Sequence, residues 1–230
     1  MAKIKGIRVI SFDADGTLWD FEKVMRHSLT KVYSELVKAK PSVTKELTID
    51  KMIAIRDQVA QDPKNKNKKL EEIRLEAFRS TLKAINYENE DFARFLNQIY
   101  LKHRFEEIEL YPDVISTLDL IQKKYVIGLL SNGNSYPKKC GLDNRFSFVV
   151  LAQDYGIKKP DPRLFEVALK EAKCSKDEFL HVGDSIESDI VGAQRVGVKS
   201  VFLNRTNQDS SKFSIDFEIS SLLELPELLD

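Results

Sequence analysis

The chain has 230 residues, 42% of them hydrophobic, and its 36 Lys and Arg residues equal its 36 Asp and Glu residues in number. A net charge of zero gives no electrostatic reason to expect a nucleic-acid or membrane-surface partner, and no apolar run approaches the roughly 20 residues of a membrane-spanning helix. The first residues lack the apolar region and cleavage site of a secretory signal, so we expect a globular cytoplasmic protein, built as one large domain or as a core with an insertion.

The first predicted element is a short buried strand, because residues 7–12 form an apolar run. Asp13 and Asp15 follow it, and carboxylates two residues apart project to the same side of an extended chain. They repel each other unless a cation lies between them, so the segment predicts a metal site, two acids with different roles, or both. A plain surface turn is one alternative. A calcium-binding loop is another, but its twelfth position needs an acid, and Val24 stands there.

Residues from about 20 to 107 predict one helix after another. In four segments the apolar residues recur at steps of three and four, as an amphipathic helix requires. These segments lie near residues 29–36, 48–61, 73–85 and 92–100. Four such helices can bury their apolar faces on one another as a bundle.

Residues 110–230 predict an alternation of strands and helices. Continuous apolar runs, typical of strands buried on both faces of a parallel sheet, lie at 125–130, 148–151, 179–182 and 200–203. Predicted helices lie near 113–124, 161–173 and 186–196. This pattern favours an α/β fold with a doubly wound, mostly parallel sheet. We predict a core domain formed by residues 1–18 and 108–230, and an inserted α-helical bundle formed by residues 19–107.

Polar residues stand at the ends of four predicted strands, where ligands bind in doubly wound sheets. They are Asp13 and Asp15; Ser131, Asn132 and Gly133; Lys159 within Lys-Pro-Asp-Pro; and Gly183, Asp184 and Ser185, followed by Asp189. Each set by itself has an ordinary structural explanation as a turn, a surface lysine or a helix cap. Those explanations leave the shared position unexplained, so we predict that the four sets form one site.

In type and order, these four sets resemble the motifs of the haloacid dehalogenase-like (HAD) hydrolase superfamily. The resemblance covers essentially the whole chain, and the helical insertion after the first motif is similar to that of subfamily I, which carries a C1-type cap. It implies a phosphatase, a phosphoric monoester hydrolase, that works through an aspartyl-phosphate intermediate. Asp13 would be the nucleophile, and Asp15 would act first as general acid and then as general base.

The resemblance also implies Mg²⁺ as the cofactor. Its expected ligands are Asp13, the main-chain carbonyl of Asp15, and Asp184, while Asp189 would hold a metal-bound water or orient another group. Lys159 would touch both the nucleophile and the phosphate as a catalytic cation. The expected phosphate-binding groups are Lys159, the hydroxyl of Ser131, and main-chain N–H groups near the first motif and Asn132.

Three alternatives stay open within the resemblance. A phosphomutase similar to the β-phosphoglucomutases uses the same motifs. The 2-haloacid dehalogenases share the fold and the nucleophile, but they need no Mg²⁺ and lack the second aspartate, which is present here as Asp15. A binding module with a decayed site usually lacks Asp13 or Asp15. The expected partner is a small phosphorylated metabolite, with no nucleic acid and no membrane, and neither its identity nor an oligomeric state is indicated.

Several chemically versatile side chains lie outside the four motifs. Cys140 and Cys174 have no CxxC neighbour, which indicates reduced thiols rather than a zinc or redox motif. Trp19 lies two residues after the first motif, at the junction of the core and the inserted bundle. We expect it either to pack at that junction or to touch the substrate. The histidines lack the sequence spacing of metal ligands, and we expect structural roles for all of them. They are His27, His103 and His181.

Overall fold

A parallel sheet organises the first of two compact units, which comprises Met1–Asp20 and Glu109–Asp230. The computed structural model describes residues 3–65 and 68–230, and within them six strands form this sheet in the order β3-β2-β1-β4-β5-β6. The strands are β1 Val9–Phe12, β2 Val126–Ser131, β3 Phe148–Leu151, β4 Phe179–Gly183, β5 Lys199–Leu203 and β6 Glu218–Ile219. All five pairings are parallel, which confirms the predicted α/β class.

Strand β1 lies at the centre of the sheet and is buried on both faces. Its last residue, Phe12, is in register with Leu129 of β2 on one side and with Val182 of β4 on the other. The carboxyl ends of these three strands therefore meet at one edge, and the residues that follow them are neighbours in space.

The second unit, Phe21–Ile108, is helical. Its helices are α1 Phe21–Ala39, α2 Ile49–Gln61, α3 Leu70–Ala84 and α4 Glu90–Glu106. Thr48 and Asn89 cap α2 and α4 by accepting main-chain N–H groups at 3.2 and 2.9 Å. The apolar faces form one cluster around Val32, Leu36 and Leu96, which are fully buried, and each such side chain contributes about 1.5–3 kcal/mol.

The remaining helices belong to the first unit. They are α5 Val114–Ile121, α6 Ala152–Tyr155, α7 Pro162–Ala172, α8 Gly192–Arg195 and α9 Leu225–Leu228. The segment predicted as a helix over 186–196 begins instead with a π-helical turn, Ile186–Val191. Across the described ranges 3–65 and 68–230, no helix has both the length and the apolar character that crossing a membrane requires.

An arginine after β5 fixes the turn that follows β1. Arg205 Nη2 donates to the main-chain oxygen of Thr17 at 3.0 Å, and the guanidinium makes two 2.9 Å bonds to the carboxylate of Asp113. The same guanidinium stacks on Tyr111 at 4.0 Å from the ring centre. Burial raises the pKa of Asp113, but the bonds from Arg205 and Ser221 outweigh it, so the pKa lies below its usual range. These contacts hold the first motif in place against the rest of the unit.

Candidate active site

Asp13 occupies the first position after β1, where the sheet edge begins. Its main-chain N–H donates to the carbonyl of Val182 in β4 at 2.8 Å, so the backbone is fixed by the sheet. The side chain is only 10% exposed, and its Oδ1 lies 2.6 Å from Nζ of Lys159. Burial raises the pKa of Asp13, Lys159 opposes that rise, and the nearby carboxylates of Asp189 and Asp184 add to it. The net result is a pKa well above the usual range for an aspartate.

Lys159 is the centre of the site. Its side chain is 1% exposed, and Nζ donates to Asp13 Oδ1 at 2.6 Å, to Asp189 Oδ1 at 2.6 Å and to the carbonyl of Leu130 at 2.7 Å. An ammonium has three donors, and all three are used. Burial lowers the pKa of Lys159, but the two carboxylates more than offset this effect and raise it. The lysine therefore stays charged between the two acids.

Asn132 fixes the main chain of Lys159. Its Oδ1 accepts the Lys159 N–H at 2.7 Å, and its Nδ2 donates to the Lys159 carbonyl at 3.0 Å. The Lys159–Pro160 peptide bond that follows is cis. The Asn132 side chain is thus a positioning group for the lysine, a contact that the sequence did not predict. Phosphate binding near Asn132, which concerns main-chain N–H groups, stays a prediction.

Asp189 is almost completely buried and is held by three donors. Besides Lys159, the N–H of Ser185 donates to its Oδ2 at 2.9 Å, and Nε2 of His181 lies 3.0 Å from its Oδ1. Burial raises the pKa of Asp189, but Lys159 and His181 outweigh it and hold the pKa far below the usual range. Gly183 makes the approach possible, because a Cβ there would lie 2.2 Å from the Asp189 carboxyl carbon.

His181 lies within β4 and connects Asp189 to β1. An ionised carboxylate can only accept, so Nε2 carries the proton that is shared with Asp189, and Nδ1 accepts from the Ser11 hydroxyl at 2.7 Å. Burial lowers the pKa of His181 and favours the neutral ring. The role expected from the sequence was structural. One feature of the sequence points to a further role: His181 is a polar residue within an otherwise apolar, buried strand, and a buried polar group needs a hydrogen-bond partner.

Asp184 lies over the turn that follows β1. Thr17 donates its hydroxyl to Asp184 Oδ1 at 3.3 Å. Gly16 has a φ of +86°, and a Cβ at that position would lie 2.1 Å from Asp184 Oδ2, so a side chain there would displace the carboxylate. Burial, together with the charge of Asp189, raises the pKa of Asp184 to about 6.

Three carboxylates converge in the space between these strand ends. Oxygens of Asp13, Asp184 and Asp189 all lie within 4.8 Å of one another. Lys159 offsets only one of the three negative charges. Burial first, and repulsion from the neighbouring carboxylates second, raise the pKa values of Asp13 and Asp184. A hard dication such as Mg²⁺, which prefers a few carboxylate oxygens, would relieve that repulsion. The residues present therefore fit the predicted cofactor, although the roles of the individual ligands stay predictions.

Asp15 has a different environment from that of Asp13. The indole Nε1 of Trp19 donates to Asp15 Oδ1 at 2.7 Å, and Trp19 is itself fully buried. The Oδ2 of Asp15 lies over Gly133, where a Cβ would come within 2.6 Å of it and within 3.4 Å of the Ser131 hydroxyl oxygen. Asp15 and Ser131 therefore face the same small space, and the two aspartates of the first motif are held by different partners.

The chain is similar in sequence to several known proteins. The family model described as haloacid dehalogenase-like hydrolase matches residues 7–197. The chain is 26% identical to the glyceraldehyde 3-phosphate phosphatase of Pyrococcus furiosus, over 99% of this chain and 93% of that protein. It is 30% identical to the pyrimidine 5'-nucleotidase YjjG of Escherichia coli strain K12, over 58% of this chain and 63% of that protein.

Among solved structures, a 2-haloacid dehalogenase from Pseudomonas syringae pv. Tomato DC3000 superposes with a TM-score of 0.79 and 29% identity, covering 96% of this chain and 97% of that one. The similar proteins thus include both phosphatases and a dehalogenase. The family model spans most of the chain and all four predicted motifs. The chain belongs to the haloacid dehalogenase-like hydrolase family.

Proposed function

We propose that this hydrolase is a Mg²⁺-dependent phosphatase that removes the phosphoryl group from a small phosphorylated metabolite. The observation that carries the proposal is the unequal pair formed by Asp13 and Asp15. Asp13 is buried against Lys159 at 2.6 Å, whereas Asp15 is held by Trp19 at 2.7 Å and faces Ser131. One carboxylate can act as nucleophile while the other handles protons, which is the division that phosphate-ester hydrolysis needs.

In the first step, an oxygen of Asp13 attacks phosphorus, and the bond from phosphorus to the leaving oxygen breaks. Asp15 donates a proton to that oxygen, so the leaving group departs as an alcohol. The product of this step is an aspartyl-phosphate at Asp13, with Asp15 now ionised. Lys159 stays bonded to Asp13 and keeps its attacking oxygen oriented.

In the second step, water attacks the phosphorus of the aspartyl-phosphate. Asp15, ionised by the first step, takes a proton from this water. The bond between phosphorus and Asp13 breaks, which regenerates the carboxylate and releases inorganic phosphate. Each proton that Asp15 loses in the first step is recovered in the second, so the enzyme returns to its starting state.

The chain supplies positive charge and donors where the phosphoryl oxygens would lie. Lys159 offers a buried cation, and Ser131 offers a hydroxyl whose oxygen accepts from Gly133 at 3.1 Å, which leaves its own proton available. Bound Mg²⁺, held by Asp13, Asp184 and the main-chain carbonyl of Asp15, would offset charge on the phosphoryl group. Asp189, fixed by His181 and Ser185, keeps Lys159 charged and aligned.

The proposal assigns a small leaving group to the substrate. It gives the helical unit, Phe21–Ile108, the role of a cap that contacts the leaving group and excludes water. The zero net charge supports a small molecule over a nucleic acid. Two relatives named for small phosphorylated substrates, the phosphatase of P. furiosus and the E. coli nucleotidase, support the same class. Two cysteines that form no disulfide support the cytoplasm as its location.

Dehalogenation of a 2-haloacid is the second candidate, because a structure with that activity in its name is 29% identical to this chain. Asp15 argues against it. Displacement of a halide needs no proton for the leaving group, and a second carboxylate beside the first would repel the carboxylate of the haloacid. A phosphomutase remains the alternative that shares every motif with the proposed phosphatase.

The test is phosphate release from p-nitrophenyl phosphate and from a panel of phosphorylated metabolites, with Mg²⁺ and then with excess EDTA. We expect release that EDTA abolishes and that needs no sugar bisphosphate as a primer. The control is Asp177→Asn, at an exposed position of the same unit, which should keep full activity. Release that is unchanged in EDTA, a strict need for the primer, or halide release from chloroacetate without phosphatase activity would each overturn the proposal.

A further inference from the structure

The helical unit brings together two histidines and a glutamate. His27 lies in α1, His103 lies in the last turn of α4, and Glu107 directly follows that helix. Nε2 of His27 is 2.5 Å from Glu107 Oε2, and Nδ1 of His103 is 2.9 Å from Glu107 Oε1. This group was not predictable from the sequence, because α1 and α4 are far apart along the chain and the histidines lack the spacing of metal ligands. Their proximity arises only when the two helices pack in the bundle.

The local geometry suits a metal ion. His103 and Glu107 are four residues apart, so they project from the same face of the helical turn. One ligand atom from each of the three residues can be chosen such that all lie within 4.8 Å of one another. The imidazole rings meet edge to face, with centroids 6.3 Å apart. His27 Nε2 and His103 Nδ1 both face the carboxylate of Glu107. The three side chains are 48%, 19% and 40% exposed, and water can complete the coordination.

We propose that His27, His103 and Glu107 form a binding site for a transition-metal dication of the Zn²⁺ class. Two imidazole nitrogens and one carboxylate oxygen are the ligands that Zn²⁺ accepts readily, with a water in the fourth position. Mg²⁺ prefers oxygen ligands throughout, so it would bind the aspartate cluster of the first unit instead. The two dications are thereby directed to different sites by ligand type.

Binding replaces the hydrogen bonds within the group. Without metal, each imidazole shares a proton with Glu107. A metal ion bound at Nε2 of His27 and Nδ1 of His103 takes the place of these hydrogen bonds, and each neutral ring then carries its proton on its other nitrogen. Each carboxylate oxygen of Glu107 already faces one of the two metal-binding nitrogens, Oε2 at 2.5 Å from His27 Nε2 and Oε1 at 2.9 Å from His103 Nδ1.

The position of the group on α4 also favours a cation. Glu107 follows the last residue of α4, and its N–H donates to the carbonyl of His103 at 3.3 Å. The last turn of a helix presents unpaired carbonyls and the negative end of the helix dipole, so a bound dication is stabilised there. An exposed ion pair alone contributes little to stability, whereas a metal would tie α1 to α4 across the bundle.

The first test is calorimetric titration of Zn²⁺ into the full-length protein, after treatment with a chelator and in the presence of excess Mg²⁺. We expect one Zn²⁺ per chain. His27→Gln and His103→Gln should each weaken binding by at least about tenfold, because each removes one of three protein ligands. Glu106→Gln, at the neighbouring exposed acid, is the matched control and should leave the affinity unchanged. Asp184→Asn should also leave it unchanged, since that residue belongs to the aspartate cluster.

A second measurement does not depend on any variant folding correctly. Co²⁺ bound by two nitrogens, a carboxylate and water in a tetrahedral site absorbs strongly in the visible range, whereas Co²⁺ in an all-oxygen octahedral site absorbs weakly. We expect the strong bands in the wild-type protein and their loss on addition of one equivalent of Zn²⁺. Absence of stoichiometric Zn²⁺ binding, only weak Co²⁺ bands, binding that persists in the His27→Gln/His103→Gln double variant, or loss of binding in Asp184→Asn would each overturn the proposal. None of these readouts depends on phosphatase activity.

Discussion

Two ionic clusters, one in each unit, use the same side-chain chemistry in opposite surroundings. In the α/β unit, Lys159 bonds Asp13 and Asp189 at 2.6 Å, and its side chain is 1% exposed. In the helical unit, Arg79 makes two 2.7 Å bonds to Glu90, and both side chains are more than a third exposed. The geometry is equally good in both clusters. The difference between them is the access of water.

That difference reverses the effect on the carboxyl group of Asp13. It does not do so at the equally buried Asp189, where Lys159 and His181 outweigh burial and hold the pKa below its usual range. Arg79 lowers the pKa of the exposed Glu90 to about 2, because solvent already stabilises the ionised form and the arginine adds to it. Asp13, with a cation equally near, has a raised pKa because burial outweighs Lys159 and the neighbouring carboxylates oppose ionisation. A buried ion pair is held under electrostatic stress that a surface pair does not experience. Strongly shifted pKa values of this kind cluster at functional sites.

The largest expected effect is the loss of turnover in Asp13→Asn, a substitution that preserves the size and shape of the side chain in the buried cluster. Asp13→Asn replaces the nucleophilic oxygen by an amide, and we expect kcat to fall by on the order of 10⁴ or more. The measurement is phosphate release from p-nitrophenyl phosphate, with circular dichroism as a check on folding. Asp177→Asn, exposed at the opposite end of β4, should retain normal kcat. Near-normal turnover in pure Asp13→Asn protein would exclude covalent catalysis at this position.

A substitution of Asp15 tests whether the two carboxylates of the first motif have different roles. Asp15→Asn should lower kcat by on the order of 10² or more through loss of proton transfer. Because the two residues act as a unit, the double variant should lose little more than Asp13→Asn alone. Losses that multiply in the double variant would instead indicate independent roles.

The third prediction removes the buried cation. Lys159→Met leaves Asp13 and Asp189 as neighbouring buried carboxylates without a counter-charge, and we expect the free energy of unfolding to fall by about 3–5 kcal/mol. Urea unfolding, followed by circular dichroism, measures this value. A double substitution, Lys159→Met with Asp189→Asn, should recover part of the loss because it removes one of the two charges. If Lys159→Met unfolds at the wild-type urea concentration, the buried pair is not under the stress inferred here.

Much of this site could be predicted from the sequence. Asp13 and Asp184 directly follow apolar strands, and parallel strands place their carboxyl ends at one edge, so convergence of these two residues follows from local patterns. Lys159 stands further from the strand before it, which ends at Leu151. The parallel sheet itself was predictable from the same local patterns. A strand of two residues, β6, was not, because it is too short to show any periodicity.

The contacts that hold these residues were not predictable. Asn132 was expected near phosphate, yet its side chain bonds the main chain of Lys159, 27 residues away. Asp189 and His181 belong to the same turn-and-strand segment, but nothing in their spacing indicates that Asp189 bonds both Lys159 and His181. The π-helical turn at Ile186–Val191 positions Asp189, and it has the same amphipathic pattern as an ordinary helix. Long-range side-chain contacts depend on packing, which local periodicity does not encode.

The fourth prediction concerns pH and follows from the raised pKa of Asp184. Its pKa is about 6 in the folded protein, against an ordinary value of 3.8. Between about pH 4 and 6 the unfolded state has lost this proton while the folded state keeps it. The metal-free protein should therefore lose about 2 to 3 kcal/mol of stability as the pH rises through this window.

The measurement is urea unfolding of metal-free wild type and of Asp184→Asn, at several pH values between about 4 and 6. The asparagine variant lacks the titrating group, so the difference between the two proteins isolates the effect. Mg²⁺ should restore wild-type stability above about pH 6, where the carboxylate is ionised and can bind it. A wild type that gains stability relative to Asp184→Asn as the pH rises, without metal, would contradict the inferred burial.

The smallest expected effect is in the exposed cluster. Arg79→Met removes the bonds to Glu90 and Glu76, and water replaces them. We therefore expect the urea concentration at the unfolding midpoint to differ only slightly from that of the wild type. The small remaining difference should shrink as salt is added. A loss as large as that of Lys159→Met would erase the distinction between the two clusters.

The central claim, that the buried Asp13 becomes phosphorylated during turnover, can be tested by chemical trapping. The enzyme is mixed with p-nitrophenyl phosphate and Mg²⁺, quenched during turnover, treated with borohydride to reduce the acyl phosphate, and digested for peptide mass spectrometry. We predict reduction of the Asp13 side chain to an alcohol, only when substrate is present, and none in Asp13→Asn protein. Steady turnover with Asp13 unmodified, or with the reduced side chain at Asp15 instead, would contradict the account.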